Sequence, residues 1–191
     1  MRETQRGVAW DGQEYVVQSR HRYPRIERER RFLLNRVPPQ ADAVRVRHIM
    51  DHYIDGMRLR LRRQTDDDGS EIFKLTQKVP LPGSGARQGL LTTIYLNAEE
   101  FRIFAELPGR QLTKARYSVP PFGIDMFEGS LAGLVLAEVE FDSASEADSL
   151  VIPSFVASEV TEDVRFTGGR LVHASRQDVQ DWVAEYGVEL V

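Results

Sequence analysis

Pairs of like charges recur two residues apart along this sequence, and their types make them the side chains best suited to chemistry. Glu138 and Glu140 form an acidic pair, and Arg60 with Arg62 forms a basic one. Carboxylates bind hard divalent cations, and clustered basic groups bind phosphate oxygens. We therefore expect a site that holds a metal ion and a phosphorylated molecule together.

The spacing of two places both members of a pair on one face of a β-strand, because successive side chains of a strand alternate between faces. The opposite faces are apolar, since Leu59 and Leu61 flank the arginines while Ala137 and Val139 flank the glutamates. For a single segment, a sheet with one wet face explains this pattern. Several strands, however, each have a face whose charges are nearly all of one sign, and like charges along a strand repel each other. This pattern is better explained if faces of opposite charge meet around a bound cation and a bound polyanion.

Eight segments of alternating residues predict the strands that carry these charges. The strands are expected at residues 25–34, 43–54, 56–64, 71–79, 89–96, 112–119, 123–127 and 134–141. The connections are too short for parallel crossovers, so the sheet should be mainly antiparallel. An α+β fold is expected, in which a closed eight-stranded barrel has charged faces lining its lumen and helices packed outside.

Two segments have helical periodicity instead. One begins at Asn97 and the other at Ser175, both preferred N-cap residues. The second puts Val179 and Val183 on one apolar stripe, which predicts a helix that packs on the barrel; closure of one barrel mouth is the alternative.

Length and composition restrict the class of protein. A chain of 191 residues with 41% hydrophobic content can form one domain, expected at residues 25–191 after an N-terminal extension at residues 1–24. No apolar run resembles a membrane span or a secretion signal, so we expect a cytoplasmic protein that does not bind membranes. The net charge of −4 argues against non-specific nucleic-acid binding. Without cysteine, a metal must be held by oxygen or histidine nitrogen, which favours magnesium or manganese.

The motifs and their order resemble those of the CYTH superfamily, the triphosphate tunnel metalloenzymes, over roughly residues 25–171. This superfamily includes inorganic triphosphatases, thiamine triphosphatases and class IV adenylate cyclases. The matching motifs are Glu27-Arg28-Glu29-Arg30-Arg31, Arg60-Leu61-Arg62, Thr76-Gln77-Lys78, Lys114-Ala115-Arg116-Tyr117, Asp125-Met126-Phe127-Glu128-Gly129, Glu138-Val139-Glu140-Phe141, and Val160-Thr161-Glu162-Asp163 with Arg165.

The resemblance implies roles for the charged residues. The implied metal ligands are the carboxylates of Glu27, Glu29, Asp125, Glu138 and Glu140. The implied phosphate-binding residues are Arg58, Arg60, Arg62, Lys74, Lys78, Lys114, Arg116 and Arg165. The implied catalytic group consists of Glu27, Glu29, Arg31 and Lys78. The implied activity is metal-dependent hydrolysis of inorganic triphosphate or a related triphosphate compound, by positioning and electrostatics without a protein nucleophile.

Two departures from the family pattern bear on this expectation. Arg31 stands where the family has lysine, which keeps the charge but binds phosphate as a planar fork. Gly89 and Leu91 stand where one or two glutamates are expected, so an acidic ligand is missing and a second metal site is in question. A class IV type adenylate cyclase and a non-catalytic module that binds polyphosphate or nucleotide remain as alternatives. The sequence does not decide between a monomer and a homodimer.

Overall fold

The computed structural model describes residues 24–36, 43–81 and 87–191, together with the backbone of residues 5–8 and 14–17. Eleven strands and four helices lie within these ranges. The strands are β1 (Gln5–Val8), β2 (Glu14–Val17), β3 (Arg25–Leu34), β4 (Arg45–Ile54), β5 (Leu59–Asp66), β6 (Glu71–Pro80), β7 (Gln88–Leu96), β8 (Gly109–Val119), β9 (Phe122–Phe127), β10 (Val135–Glu140) and β11 (Val156–Glu159). The helices are α1 (Ala98–Ala105), α2 (Ala144–Ser149), α3 (Gly168–Leu171) and α4 (Arg176–Ala184).

Eight strands close into an antiparallel barrel. Their order is β10-β9-β8-β4-β5-β6-β7-β3, and pairing of β3 with β10 completes the ring. Strand β11 adds to β3 outside this ring, and β1 and β2 pair only with each other as a separate hairpin. The predicted closed eight-stranded antiparallel barrel is therefore confirmed.

Each predicted strand corresponds to one barrel strand, with small differences at the ends. The largest is three residues: β5 begins at Leu59 rather than at residue 56, and β8 begins at Gly109 rather than at residue 112. Gly56 has a φ of 69°, a backbone conformation that glycine adopts readily and that belongs to a turn. Arg58 consequently lies in the β4–β5 turn and outside strand β5.

Helix α1 packs on the outside of the barrel, as predicted. Asn97 caps it, and Glu100 accepts a hydrogen bond from the backbone N–H of Asn97 to complete a capping box. Phe101 is buried in one cluster with Leu61 and Leu75, whose side chains project from the outer faces of β5 and β6. A second outer cluster covers β3, β9 and β10 and includes Ala147 from α2, a helix that the sequence did not indicate.

Helix α4 closes one end of the barrel. Its Val179 and Val183 are buried in one cluster with apolar side chains from four barrel strands. Those four side chains, which we call the apolar floor, belong to Leu33, Leu112, Phe127 and Leu136. Each stands two residues from a charged inward-facing residue on its own strand and therefore also points inward. Of the two arrangements considered from the sequence, the structure shows the closed mouth.

Several expectations fall outside the described ranges. Residues 37–42 and 82–86, parts of two predicted loops, are among them, as is most of the segment 1–24. The division into an extension and a single domain stays a prediction. Among the helices described above, none combines the length and the apolar character needed to cross a membrane.

Candidate active site

Strands β3 and β10 bring their acidic residues to one enclosed space because they pair directly. In this ladder Glu29 lies opposite Glu140, and Arg31 lies opposite Glu138. Phe32, the residue after Arg31, points to the outer apolar cluster. Alternation along both strands therefore directs the charged face into the lumen, as the sequence predicted.

Eight lumen side chains form one continuous chain of ion pairs in which acids and bases alternate. Five different strands supply them. Their order is Glu27, Lys78, Glu29, Arg31, Glu138, Arg116, Asp125 and Lys114. We call this set the lumen network. All eight are predicted site residues, so the structure brings together the central part of the site that the sequence predicted.

Lys78 and Arg31 hold the two acids of the first motif between them. Lys78 Nζ lies 2.5 Å from Glu27 Oε2 and 2.8 Å from Glu29 Oε1. Arg31 donates to Glu29, and its Nε lies 3.3 Å from Glu138 Oε1. One arginine thus connects the acidic residues of β3 to those of β10.

Arg116 connects the other half of the network. Its Nε and Nη2 each donate to one oxygen of Asp125 at 2.6 Å, a bidentate geometry that fixes the guanidinium plane. The same side chain also donates to Glu138, and Lys114 donates to the Asp125 oxygen that accepts from Nη2 of Arg116. The carboxylate of Asp125 is completely buried, so these contacts replace its solvation.

The neighbouring charges of the network favour the ionised forms of Glu138 and Lys78. Burial alone would raise the pKa of Glu138, but the charges of Lys114, Arg116 and Arg31 outweigh burial and hold that pKa well below its ordinary range. Burial would lower the pKa of Lys78, but its acidic partners more than compensate, so the pKa is raised. The lumen is therefore a strongly polarised space rather than a neutral one.

Three guanidinium nitrogens in the lumen are buried and find no hydrogen-bond acceptor within the described part of the chain. They are Nη1 of Arg31, Nε of Arg60 and, nearer the open end, Nε of Arg47. Leaving a buried donor without an acceptor costs about 1–3 kcal/mol, and more for a charged group. An anion with several oxygens, such as a phosphate chain, would satisfy such donors.

Asp51 of β4 is the acidic partner of Arg60 and Arg62, two further arginines in the lumen. The sequence predicted these arginines as site residues but not their partner. Its carboxylate accepts from Nε and Nη2 of Arg62 at 2.6 and 2.7 Å, and Nε of Arg60 lies 3.5 Å from it. Sequence reasoning missed Asp51. The sequence signal for Asp51 was the alternation in β4, which puts it on the same strand face as Arg45 and Arg47. Apolar residues on both faces of β4 make this alternation hard to recognise.

The open end of the lumen carries more exposed charges. Asp66 of β5 pairs with Arg45 and with Arg47, whose Nε lies 3.5 Å from it. Glu140 pairs with Arg25 at 3.1 Å, and 54% of the Glu140 side chain is exposed. The metal-binding role implied for Glu140 stays a prediction, at a position nearer the mouth than the rest of the acids.

Besides Arg60 and Arg62, three predicted phosphate-binding residues are outside the lumen network. Arg165 is engaged in the C-terminal segment, where it donates to Asp163 at 2.7 Å and to Glu185 at 2.6 Å. A 3₁₀ turn at Val164–Phe166 places it there. Arg58 lies in the β4–β5 turn, whereas Lys74 lies in β6 directly opposite Arg62 in the ladder.

Strand β7 brings no carboxylate to the lumen. Gly89 lies opposite Glu27 in the ladder, and Leu91 lies opposite Lys78, so both positions identified in the sequence face inward. A Cβ atom on Gly89 would lie 3.3 Å from Cε of Lys78, a tight contact. A side chain at position 89 would therefore crowd the lysine that pairs with two of the acids.

The donor chemistry of the lumen fits a hard divalent cation. Its acids offer only oxygen ligands, which such cations prefer. Oε2 of Glu27 is buried and accepts no well-directed hydrogen bond from any described residue, although Lys78 lies close enough for an ion pair. No three acidic or histidine side chains in the described ranges are close enough together to hold a metal as they stand. Cation binding therefore requires the carboxylates to exchange their lysine and arginine partners.

Comparison with known proteins yields one clear relative in sequence. The chain is 33% identical over 148 residues to the inorganic triphosphatase of Nitrosomonas europaea, a match that covers 73% of this chain and 92% of that protein. No family model matches the sequence.

The solved structures that are similar to this chain include two crystal structures of NE1496. One, the inorganic triphosphatase NE1496, superposes with a TM-score of 0.51 and 25% identity, over 78% of this chain and 95% of the other. The second, described as the hypothetical protein NE1496, has a TM-score of 0.51 and 26% identity, over 78% and 99% of the two chains.

Proposed function

Because this chain belongs to the triphosphate tunnel metalloenzymes of the CYTH superfamily, we propose that it hydrolyses inorganic triphosphate to diphosphate and phosphate. The observation that carries this proposal is the lumen network, whose acids and bases alternate in an enclosed space. A metal–triphosphate complex has the same combination of opposite charges. The named activity of the relative from Nitrosomonas europaea supports hydrolysis over the other reactions of the superfamily.

The basic side chains of the lumen would bind the phosphate oxygens. Arg31 and Arg60 offer buried N–H groups that have no acceptor among the described side chains. Lys78, Lys114 and Arg116 would release their carboxylate partners and turn to phosphate, because charge-assisted hydrogen bonds to phosphate are as strong as those to carboxylate. Substrate binding thus replaces one set of buried ion pairs with another and leaves no charge uncompensated.

The freed carboxylates would hold a divalent cation, which we propose to be magnesium or manganese. The ligands would come from Glu27, Glu29, Asp125 and Glu138, with Glu140 nearer the mouth. When bound, such a cation neutralises phosphate charge and makes water more acidic. The protein contributes positioning and fixed charges, since phosphoryl transfer requires no covalent intermediate on the enzyme.

Purified protein incubated with inorganic triphosphate should release phosphate only when magnesium or manganese is present. We expect activity to disappear after treatment with a chelator and to return when either metal is added back. A colorimetric phosphate assay across triphosphate, ATP, thiamine triphosphate and long polyphosphate measures the substrate range. Activity that chelator leaves unchanged would contradict the proposed metal dependence.

A pH profile tests the role of Lys74. Burial and the positive charges of Arg62, Arg60 and Arg47 lower the pKa of Lys74 below its ordinary value. Its charge is therefore lost at a lower pH than that of an exposed lysine, which titrates near ~10.4. Because phosphate binding needs the charged form, KM for triphosphate should rise as the pH increases through this lowered pKa.

Lys74→Arg is the matched variant, since arginine stays protonated over the whole range. We expect the alkaline rise in KM to move to higher pH in this variant, with KM near neutral pH changed by less than about threefold. If the pH profiles of KM for the two proteins coincide, Lys74 does not bind the substrate.

The inward face of β7 gives a reason to test the alternative of a non-catalytic binding module. Its inward-facing Gly89 and Leu91 supply no metal ligand. Triphosphate binding without turnover under any divalent metal would favour a binding module, and formation of cyclic AMP from ATP would favour the cyclase. A cytoplasmic location and a homodimer are further proposals, to be checked by cell fractionation and by light scattering.

A further inference from the structure

Asp51 is a buried lumen carboxylate for which the proposed mechanism has no use. Its side chain is 1% exposed, and it lies on β4 between Arg62 of β5 and Leu112 of β8. Leu112 belongs to the apolar floor, so the strand neighbour of Asp51 on that side offers no polar side chain. An acid in this position must be stabilised by its ion pairs alone.

The contacts of Asp51 are all with bases that are proposed to bind phosphate. The two hydrogen bonds from Arg62 are parallel and fix its guanidinium plane. The contact with Nε of Arg60 is longer, at 3.5 Å, and leaves that N–H without a well-directed acceptor. The carboxylate thus fixes the position of Arg62 by two hydrogen bonds and attracts Arg60 by its charge.

One carboxylate also offsets more than one positive charge here. Burial would raise the pKa of Asp51, but Arg60, Arg62 and the nearby Lys114 lower it further than burial raises it. Asp51 is therefore ionised at neutral pH. Without it, two arginines would face the lumen with no acid in hydrogen-bond contact.

We propose that Asp51 is a positioning residue that orients Arg60 and Arg62 toward the phosphate chain and limits how tightly these two arginines bind it. Orientation comes from the bidentate hydrogen bonds, and the limit comes from the negative charge, which repels the phosphate oxygens. Tight binding of substrate and product alike would slow release without accelerating hydrolysis. This inference rests on the proposed triphosphatase function.

The test replaces Asp51 by asparagine, which keeps the shape and removes the charge. The free variant should be less stable than wild type, because two buried arginines lose their acid. In metal-free buffer, where no turnover is expected, inorganic triphosphate should bind about tenfold more tightly, equivalent to ~1.4 kcal/mol. Thermal unfolding should then show a triphosphate-induced rise in Tm that exceeds the wild-type rise by about 3–6 °C.

Catalysis should change in the opposite direction. With magnesium present, kcat should fall about 10- to 100-fold because the arginines are no longer aligned, while KM does not rise. A merely structural role for Asp51 would lower the Tm of the free variant but would not enlarge the triphosphate-induced shift. An unchanged shift would therefore overturn the inference.

Asp66→Asn is the matched control. Asp66 is also buried in the barrel and pairs with two arginines, but these are Arg45 and Arg47, which are outside the proposed phosphate-binding set. An enlargement of the shift as great as in Asp51→Asn would show that any loss of negative charge in the barrel suffices, and the inference would fail. We expect less than a third of the Asp51→Asn effect.

A second variant covers the case in which Asp51→Asn does not fold. Asp51→Glu keeps the charge and moves the carboxylate by one methylene, so it should retain the wild-type triphosphate-induced shift and lose kcat. Full activity in this variant would contradict the orienting role. If wild type itself shows no stabilisation by triphosphate, with or without magnesium, the proposed function fails; if it does and the variants behave like wild type, only the role of Asp51 fails.

Discussion

Replacing Glu138 by glutamine is expected to lower the rate of phosphate release by roughly 100- to 1,000-fold. Glu138 is the central acid of the lumen network, since both Arg31 and Arg116 bind it and through them it connects β3 with β8. Glutamine keeps the size of the side chain but loses the charge that a divalent cation requires. The measurement is kcat with triphosphate across a range of magnesium concentrations, where the required concentration should also rise.

The same variant makes a prediction about stability and pH. The pKa of Glu138 is well below its ordinary value in the folded protein, against ~4.3 in an unfolded chain. The stabilisation from its charge is therefore fully present above the unfolded-state pKa and is lost as the pH falls through the lower folded-state pKa. The difference in unfolding free energy between wild type and Glu138→Gln should be constant above about pH 5 and shrink in more acidic buffer.

Glu159→Gln serves as the control for removing one ion pair. Glu159 binds Arg30 with two hydrogen bonds of 2.9 and 2.7 Å, but this pair lies on the outside of the barrel. Its loss should change kcat less than about twofold, because the lumen is untouched. Equal losses of activity in the two variants would show that the effect of Glu138→Gln comes from stability alone.

Replacing Leu136 by alanine should destabilise the protein by about 2–5 kcal/mol. Leu136 is fully buried in the apolar floor, where it packs in one cluster with Val179 and Val183 of α4. The change opens a cavity between the barrel and this helix, and at the scaling expected for a chain of this size Tm should fall by about 4–20 °C. The measurement is calorimetric unfolding of the ligand-free protein.

Ile94→Ala is the comparison for this prediction. Ile94 lies on β7 and its residue surface is 51% exposed, so its truncation should cost less than about 0.5 kcal/mol. Similar losses at the two positions would contradict the assignment of Leu136 to a packed floor. A Leu136→Ala protein that also loses magnesium-dependent activity would show that the floor keeps the charged layer above it in place.

The barrel strands could be predicted because several of them alternate clearly. Charged and apolar residues alternate strictly from Leu59 to Arg62 in β5 and from Ala137 to Glu140 in β10, so the sequence showed both the two-residue period and the face that carries the charges. The short elements α2, α3 and β11 could not be predicted, since each of the two helices contains less than two turns and the four residues of β11 contain only two alternations. The hairpin β1–β2 falls in a segment without clear period.

The central acids and bases of the candidate site could also be identified from the sequence. Which side chains pair with each other across the lumen could not. Strict alternation identified Arg60 and Arg62, whereas Asp51 stands in a strand whose apolar residues Ile49 and Met50 occupy both parities. Arg165 carried a family motif, yet the 3₁₀ turn around it directs its side chain to Glu185 of the C-terminal segment. Local pattern gives the face of a strand, but only the closed ring decides which faces meet.

The ladder between β3 and β10 has a consequence for how the protein is made. Arg31 and Glu138, which meet across it, are 107 residues apart along the chain. Contacts between such distant residues form late in folding, because a long loop must be closed before they contribute. A polypeptide still emerging from the ribosome therefore cannot close the barrel until synthesis has passed Glu140, and Arg31 has no contact with Glu138 before then. Fragments from interrupted translation should consequently lack the enclosed site.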